Sequence, residues 1–209
     1  MKVLILSPHT DDAEFSCGGT IVKVLENGDS IRWIVFSTAD DSLPKGFEKD
    51  TTKKEFYSVV HQLGMSKGQT VVYDYKVRHL HQHRQDILEN LVSIRKQFEP
   101  DLVIGPSLND LHQDHQVVAY EMVRAFKTSA SIICYESPGN HITFNTQCFE
   151  RLSRKHIIKK HKLVQNYKSQ YAKRKDVFSE EYIYGMAKMR GTQCNAEYAE
   201  AFEVVRWMI

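Results

Sequence analysis

Cysteine is scarce in this chain and never paired in sequence. Cys17, Cys134, Cys148 and Cys194 lie far apart, and no C-x-x-C occurs. That spacing excludes a cysteine-built structural zinc site and a disulfide framework, and it points to a reducing, cytoplasmic setting. Long apolar runs are missing too. The leading stretch Val3-Leu4-Ile5-Leu6 stops at Ser7-Pro8. A membrane span needs about 20 apolar residues, so we expect no transmembrane segment and no signal peptide. The run has the length of a buried strand. Internal repeats, low-complexity tracts and linkers are also absent, so the chain is expected to form a single domain. Within it, residues 1–135 form an α/β core and residues 136–209 a C-terminal extension.

What is present suffices for a packed core: 209 residues, 42% hydrophobic and 26% charged. A chain of this size buries roughly 70% of its unfolded surface. Net charge is only +2, and no nucleic-acid partner is expected. The charge is uneven, however. Residues 151–175 hold ten Lys or Arg and no acid, leaving 18 basic against 26 acidic side chains elsewhere. Apolar residues at Leu152, Ile157, Leu163, Val164, Tyr167 and Tyr171 give this segment a rough helical stripe, so a solvated basic helix face is the plainer reading. The functional alternative is an anionic partner, either a phosphate-bearing substrate or a membrane surface.

Apolar spacing predicts strands over 1–7, 31–36, 70–75, 101–105 and 132–135. It predicts helices over 20–25, 53–63, 84–98 and 116–126. Alternation of this kind implies a mostly parallel sheet covered on both faces, a Rossmann-like three-layer α/β sandwich. The stretch after Ser137 alternates less cleanly and is expected to cover one end of the sheet. Ligands of such sheets sit beyond the carboxyl ends of the strands.

Two clusters satisfy that positional rule. Ser7-Pro8-His9-Thr10-Asp11-Asp12-Ala13-Glu14 follows the first strand, and Asp110-Leu111-His112-Gln113-Asp114-His115 follows the strand ending at Gly105. A catalytic zinc takes three protein ligands and leaves one position open. His9, Asp12 and His115 are the candidate ligands, and Asp11 is the free carboxylate beside them that a general base requires. His112 is the candidate donor to an oxyanion. Asp114 is the candidate acceptor from an imidazole N–H. One such carboxylate alone is as well explained by helix capping, but two clusters on one rim are not. Gly18-Gly19 lacks the G-x-G-x-x-G pattern and is read as small residues allowing a helix close to a strand. His79, His81 and His83 alternate, which places them on one side of an extended segment. Their flanking residues Arg78 and Arg84 are candidate contacts to an anionic substrate group.

The pair P-H-x-D-D-x-E and H-x-D-H resembles the LmbE-like (PIG-L) zinc-dependent N-acetylglucosaminyl deacetylases. The resemblance extends to Gly18-Gly19, Pro100-Asp101-Leu102-Val103, Tyr167-Lys168-Ser169-Gln170, Arg190-Gly191 and Tyr198 to Phe202. It implies zinc on His9, Asp12 and His115, with Asp11 as general base. It also implies His112 as oxyanion or amine partner and Asp114 as the group tuning His112. Arg190 joins Arg78 and Arg84 as a candidate substrate contact. The family usually has proline where this chain has Thr10, which leaves the stiffness of that turn in question. The resemblance implies hydrolysis of an acetamide on a small amino-sugar substrate, and the basic segment adds the expectation that this substrate is anionic. Zinc and ferrous iron both suit the ligand set. A phosphoesterase, which normally uses two metals about 4 Å apart, and a non-catalytic sugar-binding protein are the rival readings. Homo-oligomerisation is left open.

Overall fold

The computed structural model describes residues 1–209. Seven strands and seven helices form the fold. They run β1 Lys2–His9, α1 Asp12–Glu26, β2 Ser30–Ser37, α2 Thr51–Gln62, β3 Thr70–Val72, α3 Arg84–Phe98, β4 Leu102–Pro106 and α4 Gln113–Phe126. They continue with β5 Ser131–Tyr135, β6 Cys148–Leu152, α5 Arg154–Val164, α6 Lys168–Tyr171, α7 Glu180–Gln193 and β7 Tyr198–Arg206. All seven strands join one sheet in the order β3-β2-β1-β4-β5-β7-β6. β1 pairs in parallel with β2 and β4, as do β4 with β5 and β2 with β3. The fold is the expected α/β sandwich, and no helix is long and apolar enough to cross a membrane.

The layers follow from the period-two alternation of each strand. Val3, Ile5, Trp33 and Val35 face the core shared with α1, α2, α5 and α7. Leu4, Leu6, Ile34 and Phe36 face the core shared with α3 and α4. With both faces covered, β1 is buried from Val3 to His9. That explains an apolar run ending in a polar cluster: the strand crosses the core and delivers His9 to its carboxyl rim.

The C-terminal residues depart from expectation. Instead of covering one end of the sheet, β7 inserts antiparallel between β5 and β6 and widens it. The segment α5 to α7 completes the helical layer against α1. The third strand is also shorter than the predicted 70–75, ending at Val72. Leu80–His83 is a 3-10 turn, not an extended segment. Leu80 is fully buried there, and tucking it inward bends the backbone between the histidines.

α1 begins at Asp12, earlier than predicted, and breaks at Cys17 (φ −131°, ψ 32°). The break exposes the backbone N–H groups of a second helical segment. Glu200 of β7 caps them, accepting from Gly19 N at 3.0 Å and Thr20 N at 2.7 Å. Lys160 of α5 donates to the same carboxylate at 2.7 Å. The close approach read from Gly18-Gly19 is therefore real, but its partners are β6 and β7. A Cβ on Gly19 would lie 2.5 Å from Leu152 Cδ1.

Candidate active site

The site forms where β1 and β4 end. His9 is the last residue of β1, Asp12 opens α1, and the loop after β4 leads through Asp110 into α4, which carries Asp114 and His115. The local turn is self-made. The backbone N–H of His9 donates to Asp12 Oδ2 at 2.7 Å, which folds the carboxylate back toward the strand end. Asp12 Oδ2 then lies 3.3 Å from His9 Nδ1 and 3.3 Å from His115 Nε2. One donor atom from each of His9, Asp12 and His115 falls within 4.8 Å of the others.

Each imidazole has a buried carboxylate behind it. Asp114 Oδ2 sits 3.0 Å from His9 Nε2, and Asp110 Oδ2 sits 2.7 Å from His115 Nδ1. Both carboxylates are fully buried. This pairing leaves His9 Nδ1 and His115 Nε2 facing Asp12. Carboxylate-backed histidines of this kind hold metal ligands in one tautomer and orientation. Asp114 is further fixed by the backbone N–H of Arg78 at 2.6 Å and of Leu80 at 3.3 Å. The 3-10 turn over 80–83 thus has a role that alternating histidines did not suggest.

Proton affinities tell the same story. Burial works against charge on His9 and His115. The Asp12 charge and the hydrogen bonds that the rings donate to the flanking aspartates outweigh it, holding His9 near 9 and His115 near 10. Burial would also raise Asp12, but the two cationic rings keep it well below the usual carboxylate range. Metal-free, two imidazolium protons offset two of the three charges of half-buried Asp12 and buried Asp110 and Asp114. A divalent cation supplies the same charge at the same atoms, so the donor set fits such an ion. His9, Asp12 and His115 are the residues that would hold it.

Around this centre, burial and the neighbouring Asp12 charge push Asp11 up to about 6, which suits a proton acceptor working near neutrality. His112 caps α4, its Nδ1 accepting from Asp114 N at 3.2 Å. Burial and the cationic His115 and His9 rings push His112 down to about 4. It is therefore a neutral imidazole carrying its proton on Nε2. The Asp114 side chain reaches His9 and not His112. Asp114 acts on His112 through its charge and its backbone N–H, while its carboxylate hydrogen-bonds to His9.

The three arginines expected at the substrate fare unequally. Arg84 is spent on buried Glu121, with Nε at 2.7 Å and Nη2 at 2.6 Å. Arg190 is spent on Glu136, bound through Nε and Nη2. Arg78 stays exposed, and its backbone adopts a left-handed φ of 69° to deliver its N–H to Asp114. Asp110 was missed. Asp110 was visible as one more carboxylate in the second cluster, but only its position five residues before His115 marked it. His141 was missed as well: its Nε2 is buried without a hydrogen bond, 4.0 Å from Asp110 Oδ2.

The basic segment also resolves. Lys155 and Lys159 pair with Glu26 at 2.8 and 2.7 Å, and Lys160 with Glu200. Lys173 and Arg174 form no ion pair. The Lys173 charge acts on Asp11, and Arg174 packs on Gly139, where a Cβ would lie 3.1 Å from Nη2.

A family model described as GlcNAc-PI de-N-acetylase, PIG-L, matches residues 4–126, which span both histidine clusters. This chain belongs to the PIG-L family. The family assignment makes it an enzyme of the deacetylase type, a metal-dependent one. A relative from Escherichia coli K12, the uncharacterized deacetylase YaiS, is 24% identical over 77% of this chain and 90% of its own length. Among solved structures, the N,N'-diacetylchitobiose deacetylase of Pyrococcus horikoshii superposes with a TM-score of 0.79 at 19% identity, covering 98% of this chain and 83% of that one. The teicoplanin deacetylase Orf2, in a zinc-inhibited form, gives a TM-score of 0.76 at 14% identity, covering 99% of each chain. GalB of Pseudomonas putida KT2440, a 4-carboxy-2-hydroxymuconate hydratase, gives 0.78 at 19%, covering 100% of this chain and 97% of that one. A hydratase shares the PIG-L fold, so the fold by itself does not choose the reaction. The side chains must.

Proposed function

We propose that this chain hydrolyses the acetamide of an N-acetylated amino sugar to free amine and acetate, with one zinc ion on His9, Asp12 and His115. The observation that carries the reading is the pair of carboxylate-backed imidazoles converging with Asp12, beside a separate carboxylate raised to about 6. When bound, the ion polarises the acetamide carbonyl and acidifies a water. Asp11 accepts the proton of the attacking water and passes it to the leaving nitrogen as the C–N bond breaks. His112 Nε2–H donates to the oxygen on which negative charge develops. Its low proton affinity keeps it a neutral donor. Asp110 and Asp114 hold the ligand rings in register and take no part in proton transfer.

The substrate carries an anionic group, a phosphate of a nucleotide or lipid being the simplest. Support for this comes from Lys173 and Arg174. Neither forms an ion pair; the Lys173 charge acts on Asp11, and Arg174 lies against Gly139.

The test is a panel of N-acetylated sugars, free, phosphorylated and nucleotide-linked, assayed for released primary amine with and without chelator. Amine release that stops with chelator and returns with zinc is the expected result. Release from phosphate esters in place of amides would favour the phosphoesterase. If the phosphorylated and free sugars show equal kcat/KM, the anionic part of the proposal is dropped. Ferrous iron is compared with zinc in the reconstitution arm.

A further inference from the structure

The turn His9-Thr10-Asp11-Asp12 carries two metal ligands and the general base, yet it holds no proline between the histidine and the aspartates. Thr10 is buried and its backbone N–H donates to nothing. Its carbonyl is gripped from far away. The hydroxyl of Tyr167, 157 residues later, donates to Thr10 O at 2.6 Å. The same hydroxyl touches the carboxyl of Glu14, one helical turn into α1. The hydroxyl thus links the carbonyl of the turn to the first turn of α1. Tyr167 has no exposed surface, and its neighbour Ser169 is stapled to Glu55 of α2 through N at 2.9 Å and Oγ at 2.6 Å. The hydroxyl therefore sits on a rigid support and meets the turn from both sides.

We infer that Tyr167 is a positioning residue for the catalytic turn: its bond to the Thr10 carbonyl fixes where Asp11 and Asp12 point, doing with a tertiary contact what a proline would do by locking φ. The inference rests on the deacetylase reading for its kinetic arm only. A shift of the turn on the order of 1 Å is enough to cost about 100-fold in rate.

The experiment compares full-length wild type with Tyr167→Phe, Ser169→Ala and the double variant Tyr167→Phe/Thr10→Pro. Kinetics use the sugar that wild type deacetylates, and cobalt(II) titration followed by visible absorption reads the ligands without catalysis. Tyr167→Phe is expected to lower kcat by roughly 30-fold or more at nearly constant KM, and to change the cobalt spectrum. Ser169→Ala, which removes the Oγ bond to Glu55 but keeps the backbone N–H bond and the Tyr167 hydroxyl, is expected to give a clearly smaller loss in both readouts. Thr10→Pro costs no hydrogen bond and is expected to restore most of what Tyr167→Phe loses, including folding should the single variant fail to fold. The inference is overturned if Tyr167→Phe behaves as wild type in both readouts. It is equally overturned if Ser169→Ala reproduces the loss, or if the proline restores nothing. A wild type that deacetylates no sugar sinks the deacetylase reading instead and leaves the cobalt arm to decide the role of Tyr167.

Discussion

Two of the places where this molecule buries charge are built to different ends. Under the break in α1, Glu200 receives Lys160, two backbone N–H groups and the Thr20 hydroxyl. Its charge is balanced and its lone pairs are filled by the chain itself. At the sheet rim, Asp12, Asp110 and Asp114 surround His9 and His115, and offsetting two of the three negative charges takes two protons or one divalent cation from outside. Burial of charge alone does not mark a functional site. What marks one is burial whose compensation the chain leaves incomplete.

The comparison breaks most readily at Asp11. Asp11→Asn should lower kcat by roughly 10²- to 10⁴-fold, the usual worth of a general base, while the protein still binds one ion by titration. An ordinary rate with Asn there would show that the rim does not use this carboxylate. The inner pair should respond in the opposite manner. Glu200→Gln strands a buried ammonium, and breaking such a pair costs on the order of 3–5 kcal/mol. Urea denaturation should register that loss, whereas kcat per folded molecule should stay at the wild-type value. A fall in kcat would mean that the two buried clusters are coupled.

Smaller effects sharpen the contrast within the rim. Asp110→Asn and Asp114→Asn should each weaken metal affinity by about 10- to 100-fold, as removal of an orienting carboxylate does. Competition with a fluorescent chelator would measure this. An effect of Asp110→Asn confined to rate would place Asp110 in the chemistry and not behind His115. The mildest test is pH. His9 and His115 are raised above their ordinary 6.5 to about 9 and about 10. The stability they give the metal-free protein is full below pH 6.5 and lost as pH rises through 9 and 10. Thermal melting of chelated protein should therefore fall by a few degrees between neutrality and pH 10. Saturating zinc should flatten that fall, because the ion replaces the two protons. A melting temperature that rises with pH in the chelated protein would contradict the protonation scheme.

Much of this was legible in the sequence, for reasons that are local. Strand-helix alternation up to Tyr135 follows from apolar periodicity. His9, Asp12 and His115 stood out because each follows a strand end, and parallel topology sends those ends to one rim. What stayed hidden was decided by distant partners. β7 reads as Y-A-E-A-F-E-V-V-R, and its Glu200 and Glu203 look like solvent-facing residues. Both are buried, one on Lys160 and Thr20, the other on Ser107, Asn109 and Asn145. A strand with such charges does not announce itself as an interior strand. The ion pairs of Arg84 and Arg190 were hidden for the same reason, since their counter-ions Glu121 and Glu136 lie 37 and 54 residues away. Asp114 was recognised as a partner for an imidazole, but which imidazole depended on the approach of β1 to α4.

The central claim is a single divalent ion on His9, Asp12 and His115, and metal content measures it most directly. Purified protein, stripped with chelator, reloaded with zinc and dialysed, should carry one ion per chain by atomic emission. Folded Asp12→Ala and His115→Ala should carry almost none. Two ions per chain, or full retention of zinc by both variants, would contradict the account.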